Sequence, residues 1–356
     1  DRRQRQMCIR DRYSDAIRSE QELEELLSTP SPALIEMMKR LDGDLMILGI
    51  AGKMGLTMGR RAARAIELAG VKKKVVGVSR FSKPADREKL EAWGIETIPC
   101  DLLDREQVRK LPRVANVVFM AGRKFGTDGS EELTWAMNTL VPGNVVEHFK
   151  ASRIVAFSTG CVYPLVGPET GGCTEAVLPA PVGEYSQSCL GRERIFQHGA
   201  KAFGTKVLLF RLNYAIDLRY GVLHDIARQV WNNEPVTDSV GHFNVIWQGD
   251  ANDAALRSLE LAASPAAVLN VTGPETASLR SIAEQLGKLM GREVRYAHDG
   301  LGSGSCYLNN AAKMADLFGY PPVPLARMIR WQAEWFKNGG SSLGKPTHFE
   351  VNNGKF

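Results

Sequence analysis

The sequence has no apolar run approaching the roughly 18 residues of a membrane-spanning helix, so no membrane span is expected. It has no CxxC pair and no zinc-type spacing. Its six cysteines stand singly at 8, 100, 161, 173, 189 and 306, which argues against a dithiol redox centre and a structural metal site and suits a reducing cytoplasm. No charged head, apolar middle and small-residue cleavage site opens the chain in the manner of a secretory leader. A large charge excess is missing too. The net charge is +5, and the opening "DRRQRQMCIRDR" (1–12), five Arg against two Asp, carries +3 of it. That opening has no apolar period and is set aside as an artefact or a disordered tail. The near-neutral remainder gives no reason to expect a nucleic-acid partner. No internal repeat is visible.

What the chain does have is alternation. Residues 13–42 read as a helical extension: "EQELEELL" has a helical apolar rhythm, and "SPALIEMMKRL" opens with Ser31 as N-cap and Pro32 at the first helical position. From Asp44 onward, short apolar runs ("LMILGI", "KKVVGVS", "ETIPC", "NVVFMAG", "RIVAFS", "KVLLFRL") are separated by helix-length segments. Near-continuous apolar strands alternating with helices predict an α/β fold, a doubly wound parallel sheet covered on both faces, over residues 43–212. After residue 213 the rhythm loosens. A smaller α/β lobe, partly returning to the sheet, is expected for 213–356, with a strand at "EVRYAH" and the tail "GGSSLGKPTHFEVNNGKF" as surface structure.

"LMILGIAGKMG" places Gly49, Gly52 and Gly55 directly after the first strand and at a helix start, with Lys53 and Met54 between them. Glycines there allow a tight turn and close approach of backbone to a pyrophosphate on the helix N-terminus. The spacing is GxxGxxG rather than GxGxxG. The second strand ends without the acidic residue that would grip a ribose 2′-hydroxyl; Ser79 and Arg80 stand there instead. A guanidinium forks well onto phosphate, so NADP is expected, with NAD possible. Asp101, followed by Leu102, suits either an adenine amine or the cap of the next turn.

With "STGCVYP" and "EYSQSCLGRERIF" added, the chain resembles the extended short-chain dehydrogenases/reductases, the NAD-dependent epimerase/dehydratase family, from about Asp44 into the C-terminal lobe. The resemblance implies a Rossmann-type domain, a catalytic tyrosine at Tyr185, and Thr159, four residues before Tyr163, as the group that holds the reacting oxygen. It implies a cofactor-passing loop at Met120, Ala121, Gly122 and Lys124, with Asn138 in the following helix. It further implies a pocket lined by Tyr163, Asn213 and Arg219, and a homodimer built on the Trp135–Lys150 and Tyr185 helices, the first kinked at Pro142.

Two departures stand out. The lysine that the family carries four residues after the tyrosine is Cys189 here, so a cation for Tyr185 must come from Arg192 or from Arg123 or Lys124. The Asp-Glu pair that sugar-nucleotide dehydratases carry after the active-site threonine is Gly160-Cys161, which disfavours dehydration. The expectation is an oxidoreductase or epimerase acting by hydride transfer on a sugar-like hydroxyl or ketone. The alternative is a non-catalytic NADP-binding sensor or scaffold. Trp247 and Gln248 are expected at the lobe junction, with Asp250 capping a helix.

Overall fold

The computed structural model describes residues 14, 16–124, 129–298 and 304–350. The reading of residues 1–12 lies outside them, as do Phe125 and Gly126 of the loop motif.

In chain order the elements are α1 (Glu20–Ser28), α2 (Pro32–Arg40), β1 (Leu45–Leu48), α3 (Gly55–Ala69), β2 (Val75–Ser79), α4 (Pro84–Ala92), β3 (Glu96–Pro99), α5 (Arg105–Arg109), β4 (Asn116–Phe119), α6 (Glu131–Trp135), α7 (Val141–His148) and β5 (Arg153–Thr159). There follow α8 (Gly183–Phe203), β6 (Lys206–Leu212), β7 (Ala215–Ile216), α9 (Val222–Trp231), β8 (His242–Phe243), β9 (Ile246–Trp247) and α10 (Gln248–Arg257). The chain continues with β10 (Ala267–Val271), β11 (Ala277–Ser278), α11 (Leu279–Met290), α12 (Ala312–Phe318) and α13 (Leu325–Lys337).

Seven strands form one sheet in the order β10-β6-β5-β4-β1-β2-β3, every pair parallel. The strands sort their side chains with period two. Leu45 and Ile47 of β1, Val155 of β5 and Leu208 of β6 enter the core under α2, α3 and α10. Met46 and Leu48, Ile154 and Leu209 enter the opposite core under α7 and α8. The outer strand β3, with Glu96 and Pro99 exposed, is an edge that must not recruit another strand.

Strand order reverses between β1 and β4. Chains leaving their carboxyl ends diverge to opposite faces there, which opens a crevice. The lobe has its own core, in which α9, α11 and α13 gather around Trp247 and Trp331, joined by Leu23 and Leu27 of α1.

Ser31 does cap α2, accepting from Leu34 N–H at 3.1 Å. The helix expected over Trp135–Lys150 is interrupted by a π turn, Ala136–Leu140, in which Val141 N–H reaches the Ala136 carbonyl. Pro142 has no N–H to give the Asn138 carbonyl, so the ladder widens rather than simply bending.

Three expectations need correction. "EVRYAH" makes a single bridge, Tyr296 to Val236, and no strand. Asp250 does not cap α10; it sits in the first turn and accepts from Val323 N–H at 3.1 Å. The tail is not surface structure throughout. Thr347 and Phe349 are buried, and Asp225 accepts from Thr347 N–H at 2.8 Å.

Candidate functional site

The crevice is lined first by backbone. Gly49 has φ of 89°, and a Cβ there would lie 2.8 Å from Ala121 N. At Gly55 a Cβ would lie 2.2 Å from the Ile50 carbonyl oxygen, so helix α3 can begin this close to β1 only with glycine. Gly52 is different: its Cβ would meet nothing nearer than Gly49 O at 3.2 Å, and its open side faces the crevice. No side chain caps α3 at Met54, which leaves the positive end of a 15-residue helix directed at the loop. This cradle fits a dinucleotide pyrophosphate.

Two cavities share Gly49, Gly52, Met120 and Gly122 as a common floor. One, of about 360 Å³, runs past Ser79, Arg80, Asp101, Leu102 and Ala121. Lys83 and Lys345 line it as well, so three cations border the end of β2 together with Asp86. Asp101 Oδ1 accepts from Leu103 N–H at 3.0 Å, which makes it the cap of its own turn.

The other cavity, of about 330 Å³, gathers Lys53, Met54, Lys124, Thr159, Cys161, Tyr185, Arg192 and Asn213. Thr159, at the end of β5, accepts from Cys161 N–H at 3.2 Å; with its oxygen so engaged, its hydroxyl proton is left to point elsewhere. Tyr185, on the first turn of α8, is hydrogen-bonded to Cys189. Burial pushes the Tyr185 hydroxyl well above the ordinary tyrosine range, Cys189 and Cys161 add to that, and Arg192 opposes it. Cys189 is fully buried among Val162, Tyr163 and Cys173, and burial raises its thiol too.

Of the three cations expected beside Tyr185, Arg192 is tied down. Its guanidinium donates to the Phe157 carbonyl at 2.8 Å and, very closely, to Asn138 Oδ1. A Cβ on Gly122 would sit 2.3 Å from it, so the glycine makes room for the arginine. Asn138 also accepts from Arg123 N–H at 3.0 Å and donates to the Ser188 hydroxyl at 2.9 Å. It therefore fixes the loop after β4 from beneath rather than from inside the cavity. Lys124 rises from that loop, and its Nζ donates to the Thr347 carbonyl at 3.2 Å. Burial lowers its ammonium, while the nearby Cys161 and Cys189 thiols favour the charged form.

Two expected pocket residues lie elsewhere. Tyr163 is buried and lines neither cavity; its hydroxyl accepts from Arg211 at 2.7 Å and donates to Asn270 at 2.9 Å. Arg211 is in turn forked onto buried Glu193. Arg219 pairs with Asp217 at 2.9 Å and lies 3.7 Å from both Glu20 and Glu24, tying α1 to the lobe. Asn213 does line the cavity, with its amide committed to the Tyr307 carbonyl at 3.1 Å.

Sequence reasoning missed Tyr214, Tyr220 and Thr347, all on the cavity wall. Tyr214 directly follows Asn213 and holds a left-handed backbone, φ 42°, a strained state for a bulky residue and a mark of functional sites. Its place just past the end of β6 was the available signal; nothing local marks Thr347.

Residues 45–216 match the model of the NAD dependent epimerase/dehydratase family. Among solved structures it resembles a mutant of the UDP-glucuronic acid 4-epimerase from Bacillus cereus in complex with UDP-4-deoxy-4-fluoro-glucuronic acid and NAD, with TM-score 0.68 and 19% identity over 83% of this chain and 99% of that one. The Thermus thermophilus UDP-glucose 4-epimerase in complex with NAD has TM-score 0.66 and 20% identity, with the same coverage. The Thermotoga maritima UDP-glucose 4-epimerase with UDP-glucose has TM-score 0.67 and 17% identity, again covering 83% and 99%. These likenesses establish the shared fold. A comparison with curated proteins finds no match.

Proposed function

We propose that the protein is a nicotinamide-dinucleotide-dependent enzyme of the epimerase type, acting on a hydroxyl or ketone of a sugar-like small molecule. The observation that carries this reading is the convergence of Thr159, Tyr185 and Lys124 in one cavity whose floor is the open glycine loop. When bound, a nicotinamide cofactor supplies a reversible hydride acceptor; proton handling and positioning fall to the chain. Tyr185, held protonated by burial, is suited to give a proton to a ketone oxygen. To take a hydroxyl proton it needs a cation, and Lys124 serves in place of the lysine that Cys189 replaces, with Arg192 in support. The Thr159 hydroxyl proton orients the reacting oxygen. Re-addition of hydride to the other face of a retained ketone gives epimerisation. A Cβ on Gly160 would lie 2.7 Å from Asn309 Oδ1, which speaks against any carboxylate there and hence against dehydration.

Incubation with NADP⁺ or NAD⁺ and candidate sugar nucleotides, followed by nicotinamide absorbance and product stereochemistry, tests the reading. Tight cofactor binding with no absorbance change and no epimer from any candidate would favour the non-catalytic sensor. Its structural support is the Tyr185–Cys189 hydrogen bond where a lysine is expected.

Arg80, Lys83 and Lys345 favour NADP over NAD, since each can face a 2′-phosphate. Arg80→Ala should weaken NADP⁺ binding roughly tenfold, the scale of one lost charge-assisted contact, and leave NAD⁺ nearly unchanged. Equal affinities in the unmodified protein would sink this preference. The α6–α7 and α8 helices are proposed as the surface of a homodimer.

A further inference from the structure

A further cavity, of about 410 Å³, lies between the N-terminal helical extension and the C-terminal lobe. It shares no lining residue with either cavity of the crevice. Helix α10 brings Asp250, Asp253 and Arg257 to it, and α3 brings Arg61. Leu26, Ile246, Met314 and Phe318 make much of the remaining wall apolar.

Three of the four charged groups are committed to one another or to the wall. Asp253 accepts from Arg61 Nη1 at 2.9 Å, from Ser31 N–H at 3.0 Å and from the Ser31 hydroxyl at 2.7 Å. Arg61 gives two further donors to the Leu27 carbonyl, at 3.2 and 3.0 Å. Arg257 lies 3.9 Å from Asp253, and its guanidinium stands 4.4 Å from the centroid of the Phe318 ring. Asp250 is the exception. One of its oxygens accepts from Val323 N–H at 3.1 Å. Among the described residues no other side chain or backbone group donates to its carboxyl, and no cation pairs with it. The carboxyl is half-buried on the cavity wall. Burial pushes it up to about 7; Val323 N–H and Arg61 oppose the rise and Asp253 adds to it. The extension, β9, α12 and the Gly319–Pro322 segment bring no charged side chain to the cavity, and Tyr320 is the one titratable group among their described lining residues.

A carboxylate on an apolar wall without a cation is costly to ionise. An ammonium ion entering the cavity supplies the missing charge, and a hydrocarbon body attached to it covers the apolar wall. An anion would meet Asp250 and two arginines whose charges are already engaged. Charge complementarity therefore selects a cation.

We propose that this cavity is a second ligand site, which takes a small organic ammonium ion with its charge on Asp250 and its apolar body against Leu26, Met314 and Phe318. The site is separate from the crevice, and the inference does not depend on the function proposed there.

Calorimetry with phenethylamine and with phenethyl alcohol, its neutral counterpart, tests the proposal. At pH 8 the amine should bind about tenfold tighter than the alcohol, the scale of one charge-assisted contact. Asp250→Asn should remove that advantage and leave the alcohol nearly unchanged. The amine should bind about tenfold more weakly at pH 6 than at pH 8, because Asp250 must give up its proton to pair with the ammonium. Saturating NADP⁺ should leave amine binding within about twofold, since the two sites share no wall. Equal binding of amine and alcohol would overturn the proposal, as would undiminished amine binding in Asp250→Asn. Displacement of the amine by NADP⁺ would place it in the crevice and overturn the assignment to Asp250. Absence of saturable phenethylamine binding would overturn it outright.

Discussion

At the scale of single residues, the site depends on which cation serves Tyr185. Tyr185→Phe should cut turnover by a factor on the order of 100 or more, the usual weight of a general acid, while cofactor binding stays within about twofold. Lys124→Met and Arg192→Ala should both move the pH limb, since Arg192 opposes the rise of the Tyr185 hydroxyl, and only the second should also cost stability. Losing the Lys124 charge leaves Tyr185 harder to ionise, so the alkaline-going limb of the pH–rate profile should move to higher pH. Losing Arg192 takes the guanidinium from the Phe157 oxygen and leaves Asn138 Oδ1 with only the Arg123 N–H, and should cost about 1–3 kcal/mol in a urea melt. A pH limb that moves with Arg192→Ala and not with Lys124→Met would reverse the assignment. The gathering of Thr159, Tyr185 and the glycine loop around one crevice was legible because each motif is complete within a few residues. Tyr163 and Arg219 were placed wrongly because their partners are remote: Asn270 and Arg211 draw one hydroxyl away, and Glu20, Glu24 and Asp217 hold the other side chain.

At the scale of elements, α10 carries a testable liability. Burial pushes the Asp250 carboxyl up to about 7. In the unfolded chain it titrates near the ordinary aspartate value, so the native state binds the proton more tightly. The associated stability is fully present below about pH 4 and is lost as pH rises through about 7. Asp250→Asn removes that dependence and should raise stability at pH 8 by up to about 4 kcal/mol, with the gain vanishing at low pH. Thermal melts across pH 4–8 would show it, and a gain independent of pH would refute the assignment. Strands were readable as elements because both faces of the sheet are covered, which writes them as unbroken apolar runs. The "EVRYAH" segment carries the same β-forming residues, yet it has only Val236 to pair with. Propensity without a neighbouring edge produced a bridge and no strand. The π turn was legible only in part: Pro142 announced a disturbance, and its form depended on Asn138 being held under the Arg123 loop.

At the scale of the whole molecule, Leu133 and Leu140 stand exposed on the α6–α7 run, 38% and 62% accessible, where a partner copy would cover them. Light scattering at micromolar concentration should report a dimer, and Leu140→Glu should yield a monomer that still binds cofactor. A monomeric unmodified protein would remove the proposal. The contact between Lys124 and Thr347 joins residues 223 positions apart, and the wall it completes belongs to a stretch of chain made long after the loop that carries Lys124. During synthesis the sheet, the glycine loop and Tyr185 all emerge well before Thr347. A growing chain on the ribosome therefore carries a finished cofactor cradle beside an unfinished chemical pocket, with the Lys124 ammonium in water. That side of the pocket closes only when the segment holding Thr347 is laid against Lys124.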